Sequence, residues 1–396
     1  MEAIFSATLK SFKMNLKTIV KNNSVILSLY QSIGSLILRI AGRFVSCDDK
    51  LILFVSYGGR YYNDSPMYIY EYMLKDDRFN GYKLVWAFVS PEDYPRIPCK
   101  VKIDTLSFYK TALRARCWIT NVVVERGLNF KPKGCFYFHT THVTLPKYTG
   151  YDARGTQAVA VHFKYKFDLS CAQSEYEKNL QYGMYGLTPE QVIVCGYPKN
   201  DRLAKVTKEE YKHYRQLLGI PEGKKAILYA PTFRGSIDDE ASCPVDFYKW
   251  KEALGDEFVI LFRAHPVVAS HINLSSFHPF VMNVSSYPDN VDLMIAADAL
   301  ISDYSGIFFE FGVQDKPMYC YAYDYEEYTK KWNLYIDVRK EIPGGDLPEH
   351  EFLAFIRSGW TQEMIVKLNT FKAKYITAYG TATKQAVDAI YKNIAV

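Results

Sequence analysis

Four short clusters carry the residue types that phosphate chemistry needs, and each falls where an apolar run gives out. Tyr-Ala-Pro-Thr-Phe-Arg at 229–234 offers a hydroxyl at Thr232 and a guanidinium at Arg234, whose planar fork matches phosphate oxygens. Leu-Phe-Arg-Ala-His-Pro at 261–266 spaces Arg263 and His265 two apart on an extended segment. Both side chains then point the same way, which predicts an anion site. Ile-Ser-Asp-Tyr-Ser-Gly at 301–306 opens a helical run over 307–313, so Ser305, Gly306 and the first N–H groups of that helix predict a phosphate cradle, with Asp303 beside it. His-Thr-Thr-His at 139–142 closes a fourth run, and a histidine there suits general-base work near neutral pH. Plainer uses remain open: Ser305 as a helix cap, Arg263 paired with a structural carboxylate, His265 as a core histidine. His139 and His142 stand three apart with no HExxH or D-x-D pattern beside them, so no metal site is expected.

The elements that must position these clusters alternate between strand and helix. Apolar runs at 51–55, 83–89, 117–125, 135–139, 167–171 and 191–195 predict one series of buried strands, with a helix over 67–74. Gly-Tyr-Pro-Lys-Asn-Asp at 196–201 breaks the pattern and marks a passage between domains. A second series follows at 225–230, 257–263, 280–284, 299–302 and 317–321, with helices near 245–254, 290–297 and 305–314. Residues 361–394 read as helical, with Tyr379-Gly380 as the one turn signal. Two such series predict two doubly wound parallel sheets, with ligands in the crevice facing the carboxyl ends of the strands. The expected organisation is a basic head at 1–46, domains at 47–200 and 201–375, and a last helix at 376–396 that packs back on the first domain.

The composition fits a folded globular protein of 396 residues, 48% hydrophobic and 23% charged, long enough for two cores. A net charge of +5 suits an anionic partner such as a phosphate-rich polymer or acidic lipid, and is too small for a dedicated nucleic-acid binder. The eight cysteines are scattered without a C-x-x-C pair, which predicts buried free thiols in a reducing compartment. Residues 1–46 carry six lysines and arginines (Lys10, Lys13, Lys17, Lys21, Arg39, Arg43) against Glu2. The apolar run 25–40 is shorter than a bilayer span and lacks a cleavage site, so a basic amphipathic helix is expected, either in the membrane interface or packed on the first domain.

Taken in order, the motifs resemble a known family. Ser-Tyr-Gly-Gly-Arg at 56–60, Asn-Asp-Ser-Pro at 63–66, His142-x-Thr144-x-x-Lys147-x-x-Gly150, the 196–201 segment, Ala-Pro-Thr-Phe-Arg at 230–234, Arg263-x-His-Pro and Asp303-Tyr-Ser are similar to the CDP-glycerol glycerophosphotransferases. That family comprises the teichoic acid primases and polymerases, with relatives that build capsule polymers. The resemblance covers roughly 50–345. It implies a GT-B fold of two Rossmann-like domains around a cleft, and a metal-independent, cofactor-free transfer of polyol phosphate from a CDP-polyol with release of CMP. It implies donor-phosphate roles for Arg234, His265 and Ser305, with Thr232, Arg263, Asp303 and Gly306 around them. His142 is implied as the catalytic base, with His265 as a second catalytic histidine, and Thr144, Lys147, Asn200 and Asp201 on the acceptor side. The implied acceptor is lipid-linked or polymeric and carries phosphate. The implied location is the bacterial cytoplasm, on the inner face of the membrane.

Departures from the family pattern bear on the acceptor. The family's Trp-His-Gly-Thr-Pro-Leu-Lys stands here as Thr-His-Val-Thr-Leu-Pro-Lys at 141–147, Gly306 replaces a second serine, and Lys199 replaces an arginine. Two other readings stay open at this stage: a GT-B sugar transferase using a nucleotide sugar, and a silent homologue that binds polymer or scaffolds a synthase complex.

Overall fold

The computed structural model describes residues 23–153, 164–232, 234, 245–264 and 272–395. His265, Pro266 and Cys243 therefore lie outside the described residues, as do 1–22.

The strand β1 (Asp48–Val55) is buried from Leu51 to Val55 without alternation. A strand reads this way when both faces of its sheet are covered. Even positions Ile52 and Phe54 join one core with Trp86 and Phe88, while Leu51, Leu53 and Val55 join another with Val85 and Trp118. The other strands of this sheet are β2 (Lys83–Phe88), β3 (Lys100–Lys102), β4 (Ala115–Thr120), β5 (Phe136–His139), β6 (Leu169–Ala172) and β7 (Val192–Val194). They lie in the order β3-β2-β1-β4-β5-β6-β7, every neighbouring pair parallel. The second sheet holds β8 (Lys225–Ala230), β9 (Phe258–Phe262), β10 (Val281–Asn283), β11 (Ala299–Ser302) and β12 (Met318–Cys320). Its order is β10-β9-β8-β11-β12, again parallel throughout. Both sheets reverse direction of growth at their middle, between β1 and β4 and between β8 and β11. These are the switch points where α/β sheets bind ligands. The architecture is that of GT-B enzymes.

Three expectations change in detail. The run 117–125 ends as a strand at Thr120; beyond it the valines of 122–124 leave the sheet, Val124 being buried with its N–H donating to the Tyr137 hydroxyl at 2.8 Å. The helix expected over 305–314 is only Ile307–Phe311, followed by a 3-10 turn over Gly312–Gln314. The stretch 361–394 is two helices, Gln362–Tyr375 and Ala382–Ile394. Between them the chain crosses from the second sheet to the first. Thr377 and Ala378 donate their N–H groups to the Gln173 carbonyl at 3.0 Å each. Gly196 has φ +86°, and a Cβ there would lie 2.4 Å from the Ala378 carbonyl oxygen, so both conformation and space demand glycine. Ala386, Val387, Ile390 and Ile394 of the last helix are fully buried in the first domain's core.

The Ser24–Phe44 helix is held to the first domain along one side. Ser35 is buried, its hydroxyl accepts the Asn129 N–H at 2.9 Å, and Leu38, Ala41 and Val45 pack on that core. Its outer side leaves Val25, Leu29, Ile33, Leu36, Ile37, Ile40 and Phe44 between 46% and 85% exposed. The 20 residues Val25–Phe44 have a mean hydropathy of 1.5, long and apolar enough to cross a membrane, whereas the run read from sequence stopped at residue 40. Helix geometry accounts for the difference, since the chain stays helical past Arg39 and Arg43 to Phe44.

Candidate functional site

The carboxyl ends of both sheets face a cleft of about 660 Å³. From the first domain it is lined by Tyr57, Arg60 and Asp64 after β1, His142 and Lys147 after β5, and Lys199 after β7. The second contributes Thr232 after β8, Arg263 after β9, Tyr287 and Asp289 after β10, and Ser305, Gly306 and Glu310 after β11. Most are delivered by the loop that leaves a buried strand, and Asp64 and Glu310 by the helix that follows it, so the rigid sheets fix the anchor points of the segments that carry the chemistry.

His142 follows a residue in left-handed conformation, Thr141 at φ +52°, which turns the chain into the cleft. Its ring packs edge-on to Tyr57 at 6.0 Å between centroids. Burial lowers its pKa below the ordinary 6.5, Asp64 opposes and Lys199 adds to the lowering. The imidazole is thus neutral at pH 7 and able to accept a proton. His139 differs: it is buried, stacked flat on Phe167 at 3.9 Å, within 3.2 Å of the Ser170 hydroxyl, and burial pushes its pKa down to about 3. It is a core histidine, and the His139/His142 pair does not act as a unit.

Beneath His142 lies a buried cluster of charges. Lys199 Nζ approaches Asp64 Oδ2 at 2.8 Å and Glu310 Oε1 at 2.5 Å, and also donates to the His142 carbonyl. All three N–H bonds of the ammonium are used. Burial would pull Lys199 down, yet the two carboxylates hold it well above its usual pKa. Asp64 also accepts from the Tyr57 hydroxyl at 2.9 Å and from the Ser65 N–H at 2.7 Å. Asp64, Lys199 and Glu310 were missed as site residues by sequence reasoning. The one available signal was that Asp64 and Lys199 fall within quoted motifs, at 63–66 and 196–201.

On the facing wall, Arg263 donates to the carbonyls of Val284 at 3.1 Å and Tyr287 at 2.9 Å, and no carboxylate is within ion-pair distance among the described residues. Burial lowers its pKa, with Asp289 opposing, so its charge is held in place without being neutralised by contact. The buried hydroxyl of Thr232 has no hydrogen-bond partner among the described residues. Ser305 caps the Ile307 N–H at 3.2 Å. Gly306 is where the two walls meet: a Cβ there would lie 2.4 Å from Val143 Cγ2 and 2.6 Å from the Thr144 carbonyl oxygen. Farther along, the same loop is stitched to the second domain by Tyr148 N–H to the Asn333 carbonyl at 2.9 Å and Tyr335 N–H to the Pro146 carbonyl at 2.7 Å. Lys147 lies over the Trp332 ring at 4.7 Å, its pKa lowered by burial.

Several candidates are placed elsewhere. Arg234 does not line the cleft. Its guanidinium is taken by Asp324 at 2.7 Å and Asp303 at 2.8 Å and lies among the rings of Tyr304, Tyr323 and Tyr328. Asp303 is 2% exposed and also accepts the Thr232 and Tyr304 N–H groups, so it braces the loop. Thr144 is buried with its hydroxyl 3.0 Å from that of Tyr197, while Val143 and Leu145 face the cleft. Asn200 is fully buried against Gln173 at 3.3 Å. The Asp201 carboxylate accepts the N–H groups of Ala382 at 2.8 Å and Thr383 at 2.7 Å and so caps the last helix. The cleft residues left from the sequence set are His142, Lys147, Thr232, Arg263, Ser305 and Gly306. Of the cysteines, Cys117, Cys135, Cys171, Cys195 and Cys320 are buried, Cys99 is partly so, and Cys47 is exposed against expectation because it precedes the first strand.

This geometry has close relatives. The sequence profile described as CDP-Glycerol:Poly(glycerophosphate) glycerophosphotransferase matches residues 37–392. The match extends beyond 50–345 at both ends and takes in the last helix, which packs in the first domain's core. The teichoic acid poly(glycerol phosphate) polymerase of Staphylococcus epidermidis is 30% identical over 372 residues, 87% of this chain and 51% of its own. This chain thus spans about half the length of that relative. The teichoic acid glycerol-phosphate transferase of Staphylococcus aureus is 30% identical over 320 residues, 74% of this chain and 80% of its own. A histidine variant of the wall teichoic acid polymerase TagF, solved after a soak with CDPG, superposes with a TM-score of 0.78 at 27% identity over 98% of both chains. With profile, relatives and both sheets in agreement, the chain belongs to the CDP-glycerol:poly(glycerophosphate) glycerophosphotransferase family.

Proposed function

We propose that this protein transfers glycerol phosphate, or a related polyol phosphate, from a CDP-activated donor to a hydroxyl of a teichoic-acid-like or capsular polymer or its lipid-linked precursor. The acceptor oxygen attacks the donor's distal phosphorus. The bond from that phosphorus to the bridging oxygen breaks, CMP leaves with the bridging oxygen, and the acceptor proton passes to His142. The neutral imidazole suits that role. Arg263, the Thr232 hydroxyl and the backbone at Ser305–Gly306 offset the charge that develops on the diphosphate, so the proposed step needs no metal. Lys147 reaches from the His142 loop toward the same space. His265 remains a donor-side candidate from its spacing to Arg263.

One observation carries the reading: the base and the phosphate-binding wall face one cleft, joined where Gly306 meets Val143 and Thr144. The test is incubation with CDP-glycerol, CDP-ribitol and UDP-sugars, with nucleotide release followed and product length read by mass spectrometry. CMP release dependent on an acceptor is expected, and on His142. UDP release without CMP would overturn the reading, and full turnover by His142→Ala would remove the base.

The relatives are named as a teichoic acid polymerase and a teichoic acid transferase. We further propose that this chain lies on the inner face of the membrane through the apolar outer side of the Ser24–Phe44 helix. A helix packed to its domain along one side lies in the interface rather than spanning the bilayer.

A further inference from the structure

We propose that Lys199 is the positioning residue for His142, and that Glu310 of the second domain docks on it when the cleft is assembled; this rests on the reading of His142 as the base. Three segments far apart in sequence converge on one ammonium. Asp64 comes from the start of the helix after β1, the His142 carbonyl from the loop after β5, and Glu310 from the helix after β11. Lys199 and its two carboxylate partners are each no more than 7% exposed. A buried lysine is uncommon unless paired, and this one uses every N–H it has.

The geometry divides the work. Asp64, Lys199 and His142 belong to the first domain, so the lysine holds the histidine's backbone whether or not the domains meet. Glu310 is the contribution of the second domain. Burial raises its pKa and Lys199 offsets part of that rise, so in the docked state the buried carboxylate depends on its ion pair with the lysine. The same helix carries the Phe309 carbonyl, which accepts from the Gln173 side chain at 2.6 Å, a second link across the cleft. Docking therefore ties the phosphate wall to the backbone of the base. A 1 Å error between such groups costs about 100-fold in rate.

The groups facing His142 are Asp64 and Tyr57 from the segment after β1, Lys199, Lys147 of its own loop and His139 behind it, with Glu310 beyond Lys199. Of these Lys199 and, after it, Lys147 lower the histidine's pKa and Asp64 raises it. Removing Lys199 should therefore move the acid limb of the rate profile to higher pH; loosened burial would move it the same way, so the shift counts for Lys199 only in a protein whose melting temperature is unchanged.

The experiment compares Lys199→Met, Glu310→Gln and the double variant in the full chain, by CMP release from CDP-glycerol, with melting temperature as a check on folding. Lys199→Met is expected to lower kcat about 100-fold with KM for the donor little changed, and to raise the acid limb. Glu310→Gln keeps a hydrogen-bonding group, and a roughly 10-fold loss of kcat with an unmoved limb is expected. The double variant should be no slower than Lys199→Met, because both act through one contact. A folded Lys199→Met protein with wild-type kcat and acid limb overturns the proposal. If that variant does not fold, Glu310→Gln decides, and wild-type kcat there overturns it equally. Turnover by His142→Ala would instead sink the base assignment, which separates the two failures.

Discussion

Gly306→Ala tests whether the cleft's two walls must touch. The backbone at Gly306 has φ −65° and ψ −11°, ordinary for any L residue, so the substitution carries no conformational penalty of its own. The added methyl would instead stand 2.4 Å and 2.8 Å from the two Val143 methyls and 2.6 Å from the Thr144 carbonyl oxygen. Non-bonded atoms rest at about 3.5 Å or more, so the walls must part by roughly 1 Å. The carbonyl belongs to the backbone two residues beyond His142 and cannot rotate away as a side chain would. Overpacking of this kind costs about 1–3 kcal/mol. A shift of this size between base and phosphate wall predicts a loss of about 100-fold in kcat. The assay is steady-state CMP release from CDP-glycerol, with thermal unfolding in parallel. Gly312→Ala is the control: its methyl would meet the Ile376 and Met318 side-chain tips within the second domain. It should lower the melting temperature without the same loss of rate. Gly306→Ala with kcat and KM within twofold of wild type, at an unchanged melting temperature, would refute the reasoning.

Asp201→Ala should cost about 1–2 kcal/mol in chemical denaturation, because it removes both cap acceptors of the Ala382–Ile394 helix; unaltered stability would show that the cap is not needed. His139 supplies a stability-versus-pH test. Its folded pKa, about 3, lies below the unfolded value near 6.5, so the unfolded state binds the extra proton and stability falls as pH drops through that window. His139→Phe keeps the stack on Phe167 and should flatten that decline, and an identical pH slope would exclude His139 as its source. Replacing Leu29, Ile33 and Ile37 together by Glu should shift the protein off vesicles containing anionic lipid in a sedimentation assay; retention at the wild-type level would remove the helix as the membrane contact.

Much of the fold was legible because its signals are local. A strand covered on both faces must be apolar at every position, so runs such as 225–230 and 299–302 can be read directly, and their ends locate the loops that carry chemistry. His142, Thr232, Arg263, Ser305 and Gly306 follow from that rule. The helices flanking those strands are less legible, since their apolar faces are narrower and interrupted. What local sequence cannot hold is the choice of partner. Arg234 and Arg263 read alike, each following a strand of the same sheet. Only packing assigns one to Asp303 and Asp324 and leaves the other facing the cleft on backbone carbonyls. Asp201 reads as a loop carboxylate until the chain returns 181 residues later and presents two free N–H groups. Asp64, Lys199 and Glu310 lie 135 and 111 positions apart, and their shared burial exists only because two sheets bring their carboxyl ends together. Sequence by itself determined which elements form and where loops leave them. Tertiary structure decided which charges are spent on holding the protein together and which remain for a ligand, because a charge is committed by its neighbours in space.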